Sequence, residues 1–194
     1  DGNTVVIGAY YGNSYRGAVY VFRTSDGGAT YGQVAKLTVS DAAYDDNFGY
    51  SVAMDGDTVV VGAYYKNSGE GAVYVLRTTD GATYVEVAKL TASDAESGDQ
   101  FGFSVAIDGH TIVVGTRGGE AAYIFHTSDD GATYIEIAKL TASGAAAYDS
   151  FGISVAIDGS TVVVGATGDD SYRGAVYVFR TTDGGATYGQ VAKL

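Results

Sequence analysis

Residues 48–63 read Phe-Gly-Tyr-Ser-Val-Ala-Met-Asp-Gly-Asp-Thr-Val-Val-Val-Gly-Ala, and this segment carries the main evidence for the fold class. Asp55-Gly56 divides it into two apolar runs. An Asp-Gly pair between such runs is a strong hairpin signal, because the tight hairpin turns need positive φ. The second run, Thr58–Val61, is β-branched throughout, as strands prefer. The stretch therefore predicts two antiparallel strands joined by a two-residue turn.

The same pattern recurs along the 194 residues. Phe-Gly pairs lie 53 and then 50 residues apart, beginning at Phe48, Phe101 and Phe151. Ala-Lys-Leu triplets recur at similar intervals, around Lys36, Lys89, Lys139 and Lys193. Residues 14–37 and 171–194 differ at one position only. The chain is therefore four copies of one unit of roughly 50 residues, and it lacks proline and tryptophan because the unit lacks them.

Each unit is predicted to be an up-and-down meander of four short strands. In the second copy the strands are expected at Ser51–Met54, Thr58–Val61, Ala72–Leu76 and Val85–Leu90, with turns and glycine-rich loops between them. The two middle strands are apolar on both faces, whereas a sheet covered on one side would alternate. The last strand carries a lysine, which discourages pairing at an exposed edge.

Four-stranded sheets that are buried on both faces and stacked as repeats are typical of propeller blades. We predict an all-β fold, a β-propeller of four-stranded antiparallel blades with about four blades present. Residues 1–194 form a single repeat domain, with blades at about 1–40, which lacks its first strand, 41–93, 94–143 and 144–194. A stacked β-solenoid, with shorter rungs, is the alternative.

The first and last strands of the sequence do not complement each other as they would in a ring closed by strand exchange. The first copy starts at its second strand and the last ends with its fourth, so we expect fifteen strands. This phase predicts a section of a longer repeat array, which would be part of a larger propeller. A closed four-bladed ring is the alternative, because propellers run from about four to eight blades.

Charge and composition exclude several classes of protein. The net charge of −12 would repel a phosphate backbone, so no nucleic-acid partner is expected. The chain has no cysteine, which excludes disulfide scaffolds and thiolate metal sites. Its longest apolar runs fall far short of the ~20 residues that span a bilayer, so no membrane insertion is expected.

The second copy resembles a known repeat. Phe48–Ala53, then Val61–Ala63, then Gly71–Val75 are similar to the FG-GAP repeat, in the variant with an Ala-Lys-Leu-Thr-Ala-Ser segment, as at Ala88–Ser93. That repeat builds the β-propeller of integrin α subunits and of many microbial and algal surface proteins. The resemblance implies a propeller, usually of seven blades, at the cell surface or outside the cell, with a role in adhesion or recognition.

The resemblance does not extend to calcium binding. The family's calcium loop lies between the first two strands of a blade, and here it has shrunk to a two-residue turn such as Asp55-Gly56. Two residues cannot supply the six to eight oxygens that calcium takes. We therefore predict no cofactor and no metal. The acids that remain as candidates for a calcium site lie in the fourth-to-first loops: Asp41, Asp45, Asp46, Asp94 and Asp99.

Alternating strand directions place the second-to-third and fourth-to-first loops on one rim. Tyrosine and arginine in exposed loops are typical of recognition surfaces. The predicted ligand-binding residues are Tyr10, Tyr11, Tyr15, Arg16, Tyr64, Tyr65, Lys66, Arg117, Tyr172 and Arg173, with Asn13 beside them. The alternative is that these tyrosines pack across neighbouring loops and only rigidify the rim.

The predicted function is an extracellular structural or adhesion module that presents rim loops to a protein partner. Two alternatives stay open: a carbohydrate-binding propeller that uses rim tyrosines, and a subunit of an extracellular filament or large complex built from further repeats or copies of itself. No enzyme is predicted, because neither His110 nor His126 has a nucleophile and a fixed third partner in the sequence.

Overall fold

Fifteen strands form four antiparallel sheets in the computed structural model, which describes residues 2–12, 15–144, 146 and 148–194. Strands follow chain order within every sheet, three in the first and four in each of the others. The all-β, blade-like prediction is confirmed. The strands are β1 Thr4–Gly8, β2 Val19–Arg23, β3 Gly32–Leu37, β4 Ser51–Asp55, β5 Thr58–Ala63, β6 Ala72–Thr78, β7 Tyr84–Leu90, β8 Ser104–Asp108, β9 Thr111–Gly115, β10 Ala122–His126, β11 Ile135–Leu140, β12 Phe151–Asp158, β13 Thr161–Ala166, β14 Ala175–Arg180 and β15 Gly189–Lys193.

Two second-to-third loops contain a short helical turn where the sequence predicts only a loop. These turns are α1, Lys66–Gly69, and α2, Asp169–Tyr172. Each has two left-handed residues inside it, such as Asn67 and Ser68 in α1, so neither is a regular helix. No described helix has the length and apolar character needed to cross a bilayer.

The hairpin predicted from Asp55-Gly56 is present. Asp55 pairs with Thr58, and Gly56 has a φ of +52°, in the left-handed region that the turn requires. Every blade also has a register shift between its last two strands, at Val75/Leu76 in the second blade. A bulge at the same place in each blade increases the local twist of its outer edge.

The core lies between the blades, in three clusters. Each cluster joins one face of a blade to the opposite face of the next blade in the chain. In the first, Val19 and Val21 of β2 pack with Val59 and Val61 of β5, and Phe48 fills the inner end of the contact. Within the described residues no core cluster joins the fourth blade to the first, so the sheets form an open array.

Paired glycines set the distance between the second strand of one blade and the Phe-Gly pair of the next. A Cβ on Gly62 would lie 2.0 Å from the carbonyl oxygen of Gly102 in the next blade. The same backbone contact recurs at 1.9 Å between Gly8 and Gly49 and between Gly115 and Gly152. The backbone of each Phe-Gly pair therefore packs directly against the glycine near the end of the preceding blade's second strand, where a side chain would not fit.

A carboxylate closes the third-to-fourth turn of every blade. In the third blade Asp129 accepts hydrogen bonds from the Thr133 amide at 2.8 Å, the Thr133 hydroxyl at 2.6 Å and the Thr127 hydroxyl at 2.7 Å. The bonds from Thr133 and Thr127 hold the pKa of the Asp129 carboxyl well below its usual value of 3.8. The pKa values of Asp26, Asp80 and Asp183 are lowered by equivalent bonds.

Gly115→Ala is expected to destabilise the protein by about 1–3 kcal/mol, because the added methyl meets the next blade's backbone and cannot be accommodated by a rotamer change. Gly189→Ala is the matched control, since a Cβ there meets nothing within 4 Å. Thermal or urea unfolding of the two variants measures the difference. Equal stabilities would contradict the role given to the glycine pair.

Thermal stability is expected to fall as the pH drops below 3.8. A carboxylate whose folded pKa is lowered stabilises the fold above its unfolded pKa, and that stabilisation is lost as the pH falls towards the folded value. Asp129→Asn removes one such group, so the variant should lose less stability than the parent between about pH 5 and about pH 2. Unfolding temperatures across this range compare it with the parent, and an unchanged acid slope would refute the assignment.

Candidate functional site

The two kinds of loop predicted to share a rim do lie together. The amide of Asn47, in a fourth-to-first loop, donates to the Tyr15 carbonyl at 3.0 Å. The amide of Arg117 donates to the Asp99 carbonyl at 3.2 Å, and the amide of Gly168 to the Asp149 carbonyl at 2.8 Å. Backbone bonds therefore join the loops of successive blades into one surface.

Eight aromatic rings form a continuous network on this rim. Neighbouring ring centroids lie 4.1–5.9 Å apart, mostly edge to face, the arrangement that the ring quadrupole favours. We call this network the aromatic rim, and its members are Tyr10, Tyr11, Tyr15, Tyr44, Tyr50, Tyr64, Tyr65 and Phe103. It crosses the first three blades.

The aromatic rim borders a shallow depression between the first two blades. The depression has a volume of about 290 Å³, and its lining is Tyr11, Tyr15, Asp45, Asn47, Tyr64 and Tyr65. Tyr11 is 64% exposed and Tyr65 is 44% exposed, while Tyr64 is half-buried beneath them. The depression therefore offers flat apolar faces together with an amide and a carboxylate.

Two of the rim tyrosines, Tyr10 and Tyr64, hold their protons at neutral pH. A hydrogen bond with the Tyr11 side chain raises the pKa of Tyr10 to about 12, and burial raises the pKa of Tyr64 above its usual value. Neutral phenols can donate hydrogen bonds as well as accept them. These two phenols can therefore take part in hydrogen bonds of either direction with a polar partner.

A second depression, of about 370 Å³, lies between the third and fourth blades on the same rim. Its lining is Gln100, Arg117, Gly118, Glu120, Tyr148, Ser150 and Tyr172. The Arg117 guanidinium lies 5.6 Å from the Phe103 ring, which joins this depression to the aromatic rim. Tyr172 and Tyr148 are each 83% exposed.

The remaining predicted rim residues lie apart from both depressions. Arg16 is exposed. Arg173 is also exposed and donates to Asp170 at 3.3 Å. Asn13 lies outside the described residues.

Lys66 is not at the rim surface, contrary to the prediction. Its ammonium is buried 2.8 Å from the Asp46 carboxylate and also donates to the Asp41 backbone carbonyl. Lys66 therefore holds its own loop against the fourth-to-first loop that contains Asp41 and Asp46, and its buried ammonium is not available to a partner. The lysine's neighbours in sequence gave no sign of this, because its two acceptors lie 20 and 25 residues earlier.

A tyrosine, an aspartate and a lysine repeat as a unit beneath the rim. In the third blade the Tyr123 hydroxyl donates to Asp94 at 2.8 Å and the Lys139 ammonium donates to the same carboxylate at 2.6 Å. In the second blade Tyr74 and Lys89 bond to Asp41 in the same way. The fourth-to-first loop of one blade is thereby tied to the sheet of the next.

The fourth blade keeps this unit with an aspartate from a different loop. Gly144 stands where the earlier loops have Asp41 and Asp94. Tyr177 and Lys193 bond instead to Asp169, which occupies the position of Lys66 in the second-to-third loop. The acid has thus moved from one loop to the other, while its partners stayed in place.

The candidate calcium ligands are engaged in loop structure. Asp41 and Asp94 bind lysine and tyrosine, as above. Asp46 accepts from the Ala43 amide at 2.6 Å, and Asp99 accepts from the Glu96 amide at 2.8 Å. Asp45 lines the first depression and has a φ of +68°. In the part of the chain that the structure describes, no three acidic or histidine side chains converge as a metal-ligating group.

Sequence reasoning missed three members of the aromatic rim. Tyr50 and Phe103 each directly follow a Phe-Gly pair, and Tyr44 lies in a fourth-to-first loop. The sequence does contain a sign of Tyr50 and Phe103, because the position after each Phe-Gly pair always carries a large apolar side chain, with Ile153 in the fourth copy. Their position beside the inner strand could have placed them on the rim.

Comparisons with known proteins identify the repeat. The sequence model of the FG-GAP repeat matches residues 31–76, 84–136 and 134–179, together more than half of the chain. No curated protein matches the chain in sequence.

Solved structures resemble the fold at low sequence identity. A protein from Lactobacillus plantarum superposes with a TM-score of 0.63 and 17% identity, over 91% of this chain and 48% of its own. A putative 6-phosphogluconolactonase from Bacteroides uniformis gives 0.67 and 16%, over 98% and 53%. Sqt1 of Saccharomyces cerevisiae gives 0.51 and 10%, over 75% and 35%. The chain spans about half the length of the first two, and the likeness shows the fold alone.

Lys139→Met is expected to raise the pKa of Asp94 towards 3.8, because the Lys139 hydrogen bond is the main cause of its lowering. Stability should fall by less than about 1 kcal/mol, as for other partly exposed ion pairs. The loss should vanish well below pH 3.8, where Asp94 is protonated in parent and variant alike.

The matched control is Lys36→Met. Lys36 lies 5.6 Å from the Tyr20 ring, as Lys139 lies 5.3 Å from Tyr123, but within the described residues it has no ion pair. Carboxyl titration by NMR and thermal unfolding measure both variants. Equal losses at neutral pH would show that the lysine's ring contact matters and its ion pair does not.

Proposed function

This chain belongs to the FG-GAP repeat family, and from that premise we propose that it is an extracellular recognition module that binds a protein partner at the aromatic rim. One observation above all supports this proposal: a contiguous group of tyrosines, several strongly exposed, lies on one rim of a stack of close-packed blades. Isolated exposed tyrosines need no explanation, but a contiguous group marks an interaction surface.

The chemistry of the rim suits a protein partner. Tyrosine supplies a large contact area at a low cost in side-chain entropy, and it is enriched where binding energy concentrates. The backbone bonds between loops and the buried Lys66–Asp46 pair hold the rings in place before binding. Such preorganisation lowers the entropic cost of association.

The net charge of −12 favours a partner with a basic surface, because complementary charge speeds encounter. Cell-surface or extracellular placement is the usual setting of the family. Calcium takes no part in this proposal, so binding should be unchanged by a chelator.

A carbohydrate ligand is the second candidate function. The first depression pairs exposed tyrosine faces with the Asn47 amide and the Asp45 carboxylate. Flat aromatic faces flanked by hydrogen-bonding groups suit the apolar and polar sides of a sugar ring. The putative 6-phosphogluconolactonase named above shares only the fold, so it gives no support for catalysis.

Arrays of extracellular proteins and of glycans, probed with the labelled chain, test both candidates. The double variant Tyr11→Ser/Tyr65→Ser should weaken binding to a protein ligand at least about tenfold, since central interface tyrosines each commonly contribute more than ~1 kcal/mol. Tyr31→Ser is the control, because Tyr31 is 46% exposed and belongs to neither the aromatic rim nor its depression.

The pattern of hits decides between the candidates. Protein ligands that depend on the rim pair and not on Tyr31 support the proposal. Glycan hits with that dependence support the second candidate instead. Ligands that bind the double variant as well as the parent would remove the aromatic rim from consideration.

A further inference from the structure

Tyrosine is the one easily oxidised side chain that this protein carries in number. Cysteine and tryptophan are absent, and 17 tyrosines stand against a single methionine. Cysteine, tryptophan and tyrosine are the side chains from which a one-electron oxidant removes an electron most readily. One-electron oxidation of this protein is therefore directed to tyrosine.

Seven of the tyrosines form one unbranched chain of neighbouring rings along the aromatic rim. Successive ring centroids lie 4.1–5.9 Å apart. In order, the members of this tyrosine chain are Tyr44, Tyr15, Tyr11, Tyr10, Tyr50, Tyr64 and Tyr65. In the part of the protein that the structure describes, no other tyrosine has a tyrosine ring as its neighbour. Rings this close exchange electrons by short hops, so an oxidised site can move along the tyrosine chain.

The tyrosine chain is half-buried in its middle and exposed at both ends. Tyr10, Tyr50 and Tyr64 are half-buried. Tyr44 is 63% exposed and Tyr65 is 44% exposed. An oxidant in solution can therefore reach either end, and the middle rings connect the two ends beneath the surface. At the Tyr65 end, however, the tyrosine neighbour is the half-buried Tyr64, which has little freedom to turn.

Tyr15 lies at the other end, between two exposed rings. Its centroid is 5.1 Å from that of Tyr11 and 5.9 Å from that of Tyr44. All three side chains are exposed, so their rings can turn until the carbons beside two hydroxyl groups meet. The Asn47 amide donates to the Tyr15 carbonyl at 3.0 Å, which holds the backbone of Tyr15 against the loop that carries Tyr44. Tyr15 is therefore the ring best placed to react with a neighbour.

We propose that the aromatic rim is a site of oxidative tyrosine coupling, at which Tyr15 forms a carbon–carbon bond with Tyr11 or Tyr44. The co-reactant is hydrogen peroxide acting through a haem peroxidase. Each of the two phenols loses one electron and one proton and becomes a phenoxyl radical, and the radicals join at the carbons ortho to their oxygens. The two ortho hydrogens then move to the oxygens, which restores both phenols. The peroxide takes up the two electrons and two protons and leaves as two waters.

This coupling does not depend on the proposed binding function, since it needs no partner at the rim. A bond between Tyr15 and Tyr44 would join a second-to-third loop covalently to a fourth-to-first loop. A cross-link of this kind limits the unfolded chain as a disulfide does, in a protein that has no cysteine.

Treatment of the dilute full chain with hydrogen peroxide and a haem peroxidase tests the proposal. Dityrosine fluorescence and mass spectrometry of the digested protein measure the product. The parent should stay monomeric and give a linked peptide pair that contains Tyr15 and is two hydrogens lighter than its parts. Tyr15→Phe keeps the ring but removes the phenol, so this product should be lost. Tyr148→Phe is the matched control, because Tyr148 is 83% exposed and has no tyrosine ring neighbour among the described residues, and it should keep the parent's yield.

Tyr10→Phe tests the role of the tyrosine chain. It preserves a ring between Tyr11 and Tyr50 but interrupts the path of oxidisable rings at that point. The yield of the Tyr15 product should fall, because oxidation that begins at Tyr65 no longer reaches Tyr15. Far-UV circular dichroism confirms that each variant is folded.

Three results would overturn the proposal. The first is a parent that forms no dityrosine. The second is coupling through Tyr148 or Tyr172 between molecules in place of the Tyr15 product, because both are 83% exposed and exposure alone would then decide the reaction. The third is a yield at Tyr15 that Tyr10→Phe leaves unchanged, which would remove the tyrosine chain from the reaction. Failure to bind any protein or glycan at the rim would leave the coupling intact, so the two proposals are tested separately.

Discussion

The close approach of each Phe-Gly segment to the second strand of the preceding blade is the constraint on which the rest of the structure depends. Phe48 is fully buried and lies edge to face with Tyr74 at 5.5 Å, while the backbone of Gly49 lies against Gly8. The phenyl ring fills the inner end of the blade junction. The glycine removes the side chain that would hold the two backbones apart.

This contact fixes the rim as well as the core. Tyr50 directly follows the Phe48-Gly49 pair, and its ring packs with Tyr10 of the first blade and Tyr64 of its own. Phe103 repeats the arrangement one blade later. The residue after each Phe-Gly pair therefore connects blade packing to the exposed surface. Any shift between blades would displace the aromatic rim, so the packing of the core fixes where the rings of the rim lie.

The sequence predicts the blades well because their signals are local. The Asp-Gly turn and the β-branched run of Thr58–Val61 lie within a few residues of each other, and both appear as expected. The site depends on contacts that sequence distance hides. Lys66 is buried against an acceptor, Asp46, that lies 20 residues earlier in the sequence. The carboxylate that accepts from Tyr177 belongs to a different loop from the one used in the second and third blades. Comparing the four copies identifies the residues that they share, whereas the candidate site lies in the loops, where the copies differ in sequence.

Burial in this protein is set by the neighbouring blade and not by the local sequence. Val19 and Val176 stand at the same place in two segments that differ at one residue in 24, yet Val19 is fully buried and Val176 is 37% exposed. Tyr177 is fully buried, while its equivalent Tyr20 is partly exposed. The first and fourth blades thus expose opposite faces of the same kind of sheet. In a repeat protein of this kind a residue's burial cannot be read from its own repeat, because the apolar faces of each blade are buried only where a neighbouring blade covers them.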